Sequence, residues 1–136
     1  MADYNKPLPI PSSESRPYWD GLRERKLLMP HCDACGRFWF PPSLLCTHCN
    51  SAKWTWVAVS GRGRIFSYVV YHRVYHPGFA TEVPYTVAVI ELDEGPRMIS
   101  NVIGIAPEEI ACDMRVEVAY QPITETITLP KFKPIA

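Results

Sequence analysis

The sequence has no surplus of either charge. Lys and Arg total 14, Asp and Glu total 14, and the formal net charge is zero. Nucleic-acid-binding domains usually carry a basic excess that neutralises phosphates, so this balance argues against that class. No apolar run approaches the roughly eighteen residues that a membrane-spanning helix needs, so no membrane association is expected. The opening stretch, "MADYNKPLPIPSSES", lacks a basic n-region and an apolar h-region. A secretory signal is therefore not read, and a cytoplasmic location is expected. The chain also lacks a G-x-x-x-x-G-K loop; "SGRGR" at 60–64 reads as a turn with only a superficial likeness to one. Neither a Ser/His/Asp nor a Cys/His constellation is visible. The acid pairs at 93–94 and 108–109 read as solvated turn and helix-start residues. No catalytic residue is assigned, and the chain is not expected to be an enzyme by itself.

Proline, by contrast, is abundant: 14 of 136 residues, about twice the usual share. Beyond one segment, long helices are disfavoured, and short strands and loops should dominate. Apolar residues make up 47% of the chain, enough for one domain, or for a small domain plus a metal-stapled appendage.

Four of the five cysteines fall in "HCDACGRFWFPPSLLCTHC", residues 31–49. They form two Cys-x-x-Cys pairs, Cys32/Cys35 and Cys46/Cys49. A reducing cytosol argues against disulfides and for a metal. Gly36 and Asn50 follow the pairs, and both tolerate the tight turn that aims backbone N–H groups at thiolates. Four thiolates match tetrahedral Zn²⁺ at about 2.3 Å. Iron uses the same ligands in rubredoxin-type sites, so the metal's identity stays open here. Such a closed set leaves no coordination position for substrate, which makes the metal structural. His31 and His48 read as flanking residues. Cys112, alone in "EEIACDMRV", reads as a buried small hydrophobe.

The fold class expected is mainly β. Residues 1–14 should be extended. A helix is expected in "SESRPYWDGLRERKLL", with Ser15 as cap and Pro17 in the first turn. Tyr18, Trp19 and Leu22 would share a face, packed on the chain itself or offered to a partner. "KLLMPHC" and "GRFWFPP" read as the two strands of a ribbon, with Phe38, Trp39 and Phe40 covering the metal. "AKWTWVAVS" reads as a strand leaving it. Five β-rich segments follow, at 64–75, 85–92, 97–104, 114–120 and 125–129. "LDEGP" is a hairpin turn, and "APEEI" one helical turn between the third and fourth strands. This pattern fits a five-stranded OB-type barrel. The divisions expected are an extended and helical segment at 1–26, a zinc ribbon at 27–57 and an OB-fold domain at 58–136. The longest irregular stretch, "HRVYHPGFATEVPY" at 72–85, carries two histidines and three aromatics. Loops on rigid barrels often carry function.

The segments "YWDGLRERKLLMPHCDACGRFWFPPSLLCTHC", "WVAVSGRGRIFSYVVYH", "PYTVAVIELDEGPRMISNVIG" and "DMRVEVAY" span nearly everything from Tyr18 to Tyr120. On them the chain resembles a family of rubredoxin-like zinc-ribbon plus OB-fold proteins, long labelled a domain of unknown function. That family is associated with thiolases, aldolases and hydratases acting on acyl-CoA. The chain departs from it at Thr47-His48, where many relatives have Cys-Pro, and at Ala111-Cys112, where many have glycine. The resemblance implies an N-terminal helix, a zinc ribbon and an OB barrel. It also implies a thiolase-like protein partner in a hetero-oligomer, with coenzyme A or acyl-CoA as a ligand. The contact residues expected on that reading are Tyr18, Trp19, Arg73, His76 and Phe79. The alternative is a single-stranded nucleic-acid binder that stacks bases on Tyr68, Tyr71 or Phe79.

Overall fold

The computed structural model describes residues 4–135. The first three residues of the segment expected to be extended, and Ala136, lie outside the described residues. Helix α1 spans Arg16–Arg23, with Pro17 in its first turn. Ser15 occupies the N-cap, but its hydroxyl makes no cap bond; it accepts the Ser12 N–H at 3.0 Å instead. The helix ends in a Schellman pattern. Arg25 takes φ 60°, Lys26 N–H reaches Gly21 O at 2.9 Å and Arg25 N–H reaches Leu22 O at 3.1 Å. Gly21, a poor helix former, has a packing reason. A methyl group there would meet the Leu28 side chain at 2.9 Å, so glycine lets α1 close on the ribbon.

The ribbon pairs β1, Leu28–Cys32, with β2, Trp54–Ala58, from Leu28 opposite Ala58 to Cys32 opposite Trp54. The segment expected to leave the ribbon is thus its second strand. "GRFWFPP" makes only one bridge, Phe38 with His31. Pro41 and Pro42 have no N–H to extend a ladder beyond it.

The barrel strands are β3 Arg62–Tyr71, β4 Tyr85–Leu92, β5 Arg97–Val102, β6 Arg115–Pro122 and β7 Thr128–Pro134. They close in the order β3-β4-β5-β7-β6, with β3 pairing back to β6. Pairing is antiparallel except between β5 and β7, which meet at Val102 and Phe132. Three boundaries differ from expectation. The first barrel strand stops at Tyr71 rather than residue 75. It begins at Arg62, so of the expected 60–64 turn only Ser60 and Gly61 (φ 76°) lie outside the strand. The last strand, expected at 125–129, runs on through Pro130 to Pro134. Proline costs little there, because β7 meets β5 at a single position and few ladder bonds are lost. The helical turn expected at 106–110 is a short 3-10 turn, Pro107–Glu109. The tight backbone before β6 falls on Asp113, φ 71°.

Gly63 marks the closest approach of β3 to β4. An added methyl would stand 2.3 Å from the Glu91 carbonyl oxygen. Gly63→Ala should therefore lower stability by about 1–3 kcal/mol, the cost of overpacking against unyielding backbone. An unchanged denaturant midpoint would contradict that contact.

One core joins the segments. Tyr18 and Leu22 of α1, Leu27 and Met29 of the ribbon, and Ile65, Ile90, Leu92, Val116 and Phe132 of the barrel belong to a single buried cluster. The acids at 93–94, expected to be solvated, and their neighbour Glu91 clasp the barrel from outside. Glu91 accepts from Arg64 at 3.1 Å and Arg97 at 2.9 Å. Asp93 takes both Arg115 guanidinium nitrogens at 2.7 and 2.8 Å, and its carboxyl is held below the usual range by them. Glu94 accepts the Ser60 N–H at 2.7 Å.

Candidate metal centre and partner-facing surfaces

Each Cys-x-x-Cys pair sits on a turn closed by a left-handed residue. Gly36 (φ 76°) and Asn50 (φ 63°) donate their N–H groups to Cys32 O and Cys46 O, both at 2.9 Å. A methyl on Gly36 would meet nothing within 4 Å, so the constraint there is the backbone angle, not space. The turns bring the four sulfurs within 4.8 Å of one another. Cys32 Sγ lies 3.6 Å from Cys49 Sγ, and Cys35 Sγ 3.7 Å from Cys46 Sγ. A tetrahedron with metal–sulfur bonds of about 2.3 Å has edges of about 3.8 Å. Cys32 and Cys46 are buried, Cys35 and Cys49 exposed.

Backbone amides point at the sulfurs: Cys35 N–H to Cys32 Sγ at 3.4 Å and His48 N–H to Cys46 Sγ at 3.3 Å. The Cys35 amide is the main reason that the Cys32 thiol is lowered to about 6. Cys49 receives the Ser51 amide, which lowers it. The neighbouring Cys32 sulfur, burial and the other two cysteines outweigh that and push it up to about 12. Four thiolates cannot crowd together unaided; a divalent cation is what this donor set requires. The chain thus carries a metal-binding cysteine cluster.

His31 and His48 are turned elsewhere. His48 contacts Arg37 at 3.4 Å and Phe38 O at 3.3 Å, and His31 packs against the Phe38 ring at 4.6 Å. Of the aromatics expected over the cluster, only Trp39 belongs to its packing. It lies with Cys32, Cys46 and Trp54, whereas Phe38 and Phe40 pack on the main core. Trp54, which the sequence reading did not place there, meets Trp39 edge-on at 5.6 Å. Its pairing opposite Cys32 in the ribbon is what brings it in. Cys112, expected to be buried, is exposed on the turn into β6.

The five residues expected at a partner or ligand fall into two places. Tyr18 is only 5% exposed and belongs to the core. Its hydroxyl is correspondingly shifted up by burial. Trp19 is half-buried, edge-on to Tyr18 at 5.2 Å, and lines a groove with Phe40, Ile99 and Pro130. Ile99 is 71% exposed there.

Arg73, His76 and Phe79 lie together in the β3–β4 connection. Arg73 is exposed, its guanidinium 5.3 Å from the ring centre of the 70%-exposed Tyr75. His76 is a structural cap: its Nδ1 accepts the Gly78 N–H at 3.0 Å and starts the 3-10 turn Pro77–Phe79. Phe79 stacks on Tyr85 at 5.2 Å, and Tyr85 leans on Tyr71 at the same distance. The N-terminal segment straps this loop down. Lys6 pairs with Glu82 and lies over the Phe79 ring, and Gly78 approaches Asn5 so closely that a methyl would stand 2.5 Å from its carbonyl oxygen. Of the rings proposed for base stacking, Tyr68 is tied inward, its hydroxyl donating to Ile110 O at 3.0 Å. No helix among the described residues is long and apolar enough to cross a membrane.

With this geometry, comparison with known proteins finds two matching families. Residues 19–55 match the ChsH2 rubredoxin-like zinc ribbon domain, and residues 56–121 the ChsH2 C-terminal OB-fold domain. The chain is 36% identical over 129 residues to a probable enoyl-CoA hydratase alpha subunit of Thermomonospora curvata, covering 95% of this chain but 40% of that protein. It is 34% identical to a DUF35 domain-containing scaffold protein of Methanocaldococcus jannaschii, covering 86% of this chain and 88% of the relative. Among solved structures, a chain of an Ltp2-ChsH2(DUF35) aldolase superposes with a TM-score of 0.84 at 36% identity, covering 93% of this chain and 98% of that one.

Proposed function

Because the chain belongs to the DUF35 family, in which a ChsH2-type rubredoxin-like zinc ribbon is joined to an OB-fold domain, we propose that it is a non-catalytic accessory subunit. Its partner is a thiolase- or aldolase-type enzyme that makes or breaks bonds in acyl-CoA. The observation that carries this reading is the near end-to-end likeness to the DUF35 chain of an aldolase. The chemistry supports it. Four cysteines are committed to a closed metal site, His76 uses its Nδ1 lone pair on a backbone amide, and Cys112 stands on an exposed turn without a hydrogen-bonded base. The metal in this reading is zinc and structural. The helical segment at 16–25 and the aromatic face of the 27–57 ribbon supply the docking face, and the barrel of 58–136 carries the 72–85 loop that helps position acyl-CoA.

Docking is the first test. Co-expressed with the thiolase- or aldolase-type enzymes of its own genome, the chain should co-elute with one of them as a single complex in gel filtration. Trp19→Ala should weaken that complex by about thirtyfold, the loss of a hot-spot aromatic, while the barrel stays folded. A chain that elutes alone beside every such enzyme of its own genome would remove the proposal.

A further inference from the structure

We propose that the cavity at the barrel end beneath the 72–85 loop is a binding site for a small carboxylate borne on an apolar ring or chain. The cavity measures about 160 Å³, and a cavity of about 150 Å³ is known to admit benzene. Its lining mixes apolar Phe79, Tyr85 and Ile103 with polar Thr86, Gln121 and Lys131. That is the composition of a small-ligand site, an apolar wall with a few convergent polar groups.

Two of those polar groups await an acceptor. Thr86 is 2% exposed, and its hydroxyl is the buried side-chain group without a hydrogen-bond partner among the described residues. A buried hydroxyl left unpaired costs stability, so such groups are rare and need a reason. Lys131 donates to Asn101 Oδ1 at 2.5 Å and enters no ion pair among the described residues, leaving ammonium N–H groups to spare. Asn101 in turn donates from Nδ2 to the Thr86 carbonyl at 2.9 Å, so one amide links the ammonium to the Thr86 backbone. Burial, with the nearby Lys6, disfavours the charged form of Lys131; a bound anion would restore it. Glu82 also lines the cavity, but its carboxylate is paired with Lys6. One carboxylate oxygen on Lys131, and the other on a Thr86 hydroxyl turned about its χ1 from its closed-off position into the cavity, would satisfy both groups, with the apolar part against Phe79 and Tyr85. The lysine selects an anion, and the apolar wall selects an organic one.

The site is a property of the isolated chain, so its test does not depend on the accessory reading. Isotope-labelled chain would be titrated with sodium benzoate while the amide resonances of Thr86, Val102 and Lys131 are followed. Benzamide serves as the neutral isostere. Saturable shifts with a Kd on the order of 1 mM are expected for benzoate, and binding at least about tenfold weaker for benzamide and for Lys131→Met. Thr86→Val keeps the volume and removes the orphaned hydroxyl. It should raise the melting temperature of the free chain and yet weaken benzoate, a pair of effects that a merely structural hydroxyl would not give. No saturable shift up to roughly 20 mM, equal binding of benzamide, or full benzoate binding by both variants would overturn the proposal. The cavity would then hold water only.

Discussion

Stripping the metal, or replacing Cys49 by serine, will unfold the ribbon and weaken the barrel beneath it. Around the cysteines the ribbon has little else to hold it. Its two strands are five residues each, and the loop between them packs around Cys32, Cys46, Trp39 and Trp54. For small units of this kind, metal-binding free energy is folding free energy, about 10–16 kcal/mol for structural zinc. That matches or exceeds the whole stability of an ordinary domain, about 5–15 kcal/mol. The barrel suffers because Leu27 and Met29 bury their side chains in its core. Each withdraws about 1.5–3 kcal/mol of burial if the ribbon lets go.

Trp39, Trp54 and Trp56 stand in an edge-to-face row with centroids 5.6 and 5.5 Å apart, so tryptophan emission reports on the ribbon directly. Chelation should shift it to the red and lower the melting temperature, and zinc should restore both. Elemental analysis should return one zinc per chain, whereas a red protein absorbing in the visible would make the metal iron. Cys49→Ser protein that keeps a full metal complement and native stability would break the four-thiolate assignment.

The metal site was legible because its constraint is local. Two Cys-x-x-Cys pairs, each followed by a residue able to take positive φ, leave few other arrangements, and Gly36 and Asn50 adopt that angle. The barrel was legible for a similar reason. Val, Ile, Tyr and Thr crowd segments such as "YTVAVIEL", bounded by turn residues, and the alternation within it appears only in burial, where Thr86, Ala88, Ile90 and Leu92 face inward. What failed depended on distant partners. Thr128–Pro134 reads as broken by two prolines, yet it is a strand, because β6 pairs along its whole length and β5 asks for one contact. For the face of α1 that carries Tyr18 the pattern left two readings open, packed on the chain or offered to a partner; in the fold α1 lies against β1 and β7, and Tyr18 is buried. Thr86 carried no signal at all. A threonine in a β-strand is ordinary, and its missing partner becomes visible only when the cavity around it exists.

Assayed together, the partner enzyme and this chain will process acyl-CoA at a rate that the partner alone does not reach, and this chain alone will process none. A thiolase- or aldolase-type step needs a nucleophile or base held against the reacting carbon. Within the 72–85 loop His76 is occupied in holding the Gly78 amide, Phe79 is stacked on Tyr85, and His72 stands exposed at the loop's start with no hydrogen-bond partner among the described residues to orient it as a base. What the loop offers is a fixed surface. The His76 cap, the Lys6–Glu82 pair and the stacked Phe79, Tyr85 and Tyr71 rings hold it to the barrel, while Arg73 and Tyr75 project outward. A rigid surface beside a partner's active site acts by position, and misplacement by about 1 Å can cost on the order of a hundredfold in rate. Replacing residues 73–76 by Gly/Ser removes both the projecting pair and the cap. It should lower the rate of the complex by about that factor without dissociating it, since Trp19 and the ribbon lie elsewhere. Arg73→Ala alone keeps the cap and should raise KM more than it lowers kcat if the guanidinium meets a CoA phosphate. Turnover by the isolated chain would end the accessory reading. A partner fully active without the chain would confine it to a scaffold, and the loop variant would then be silent.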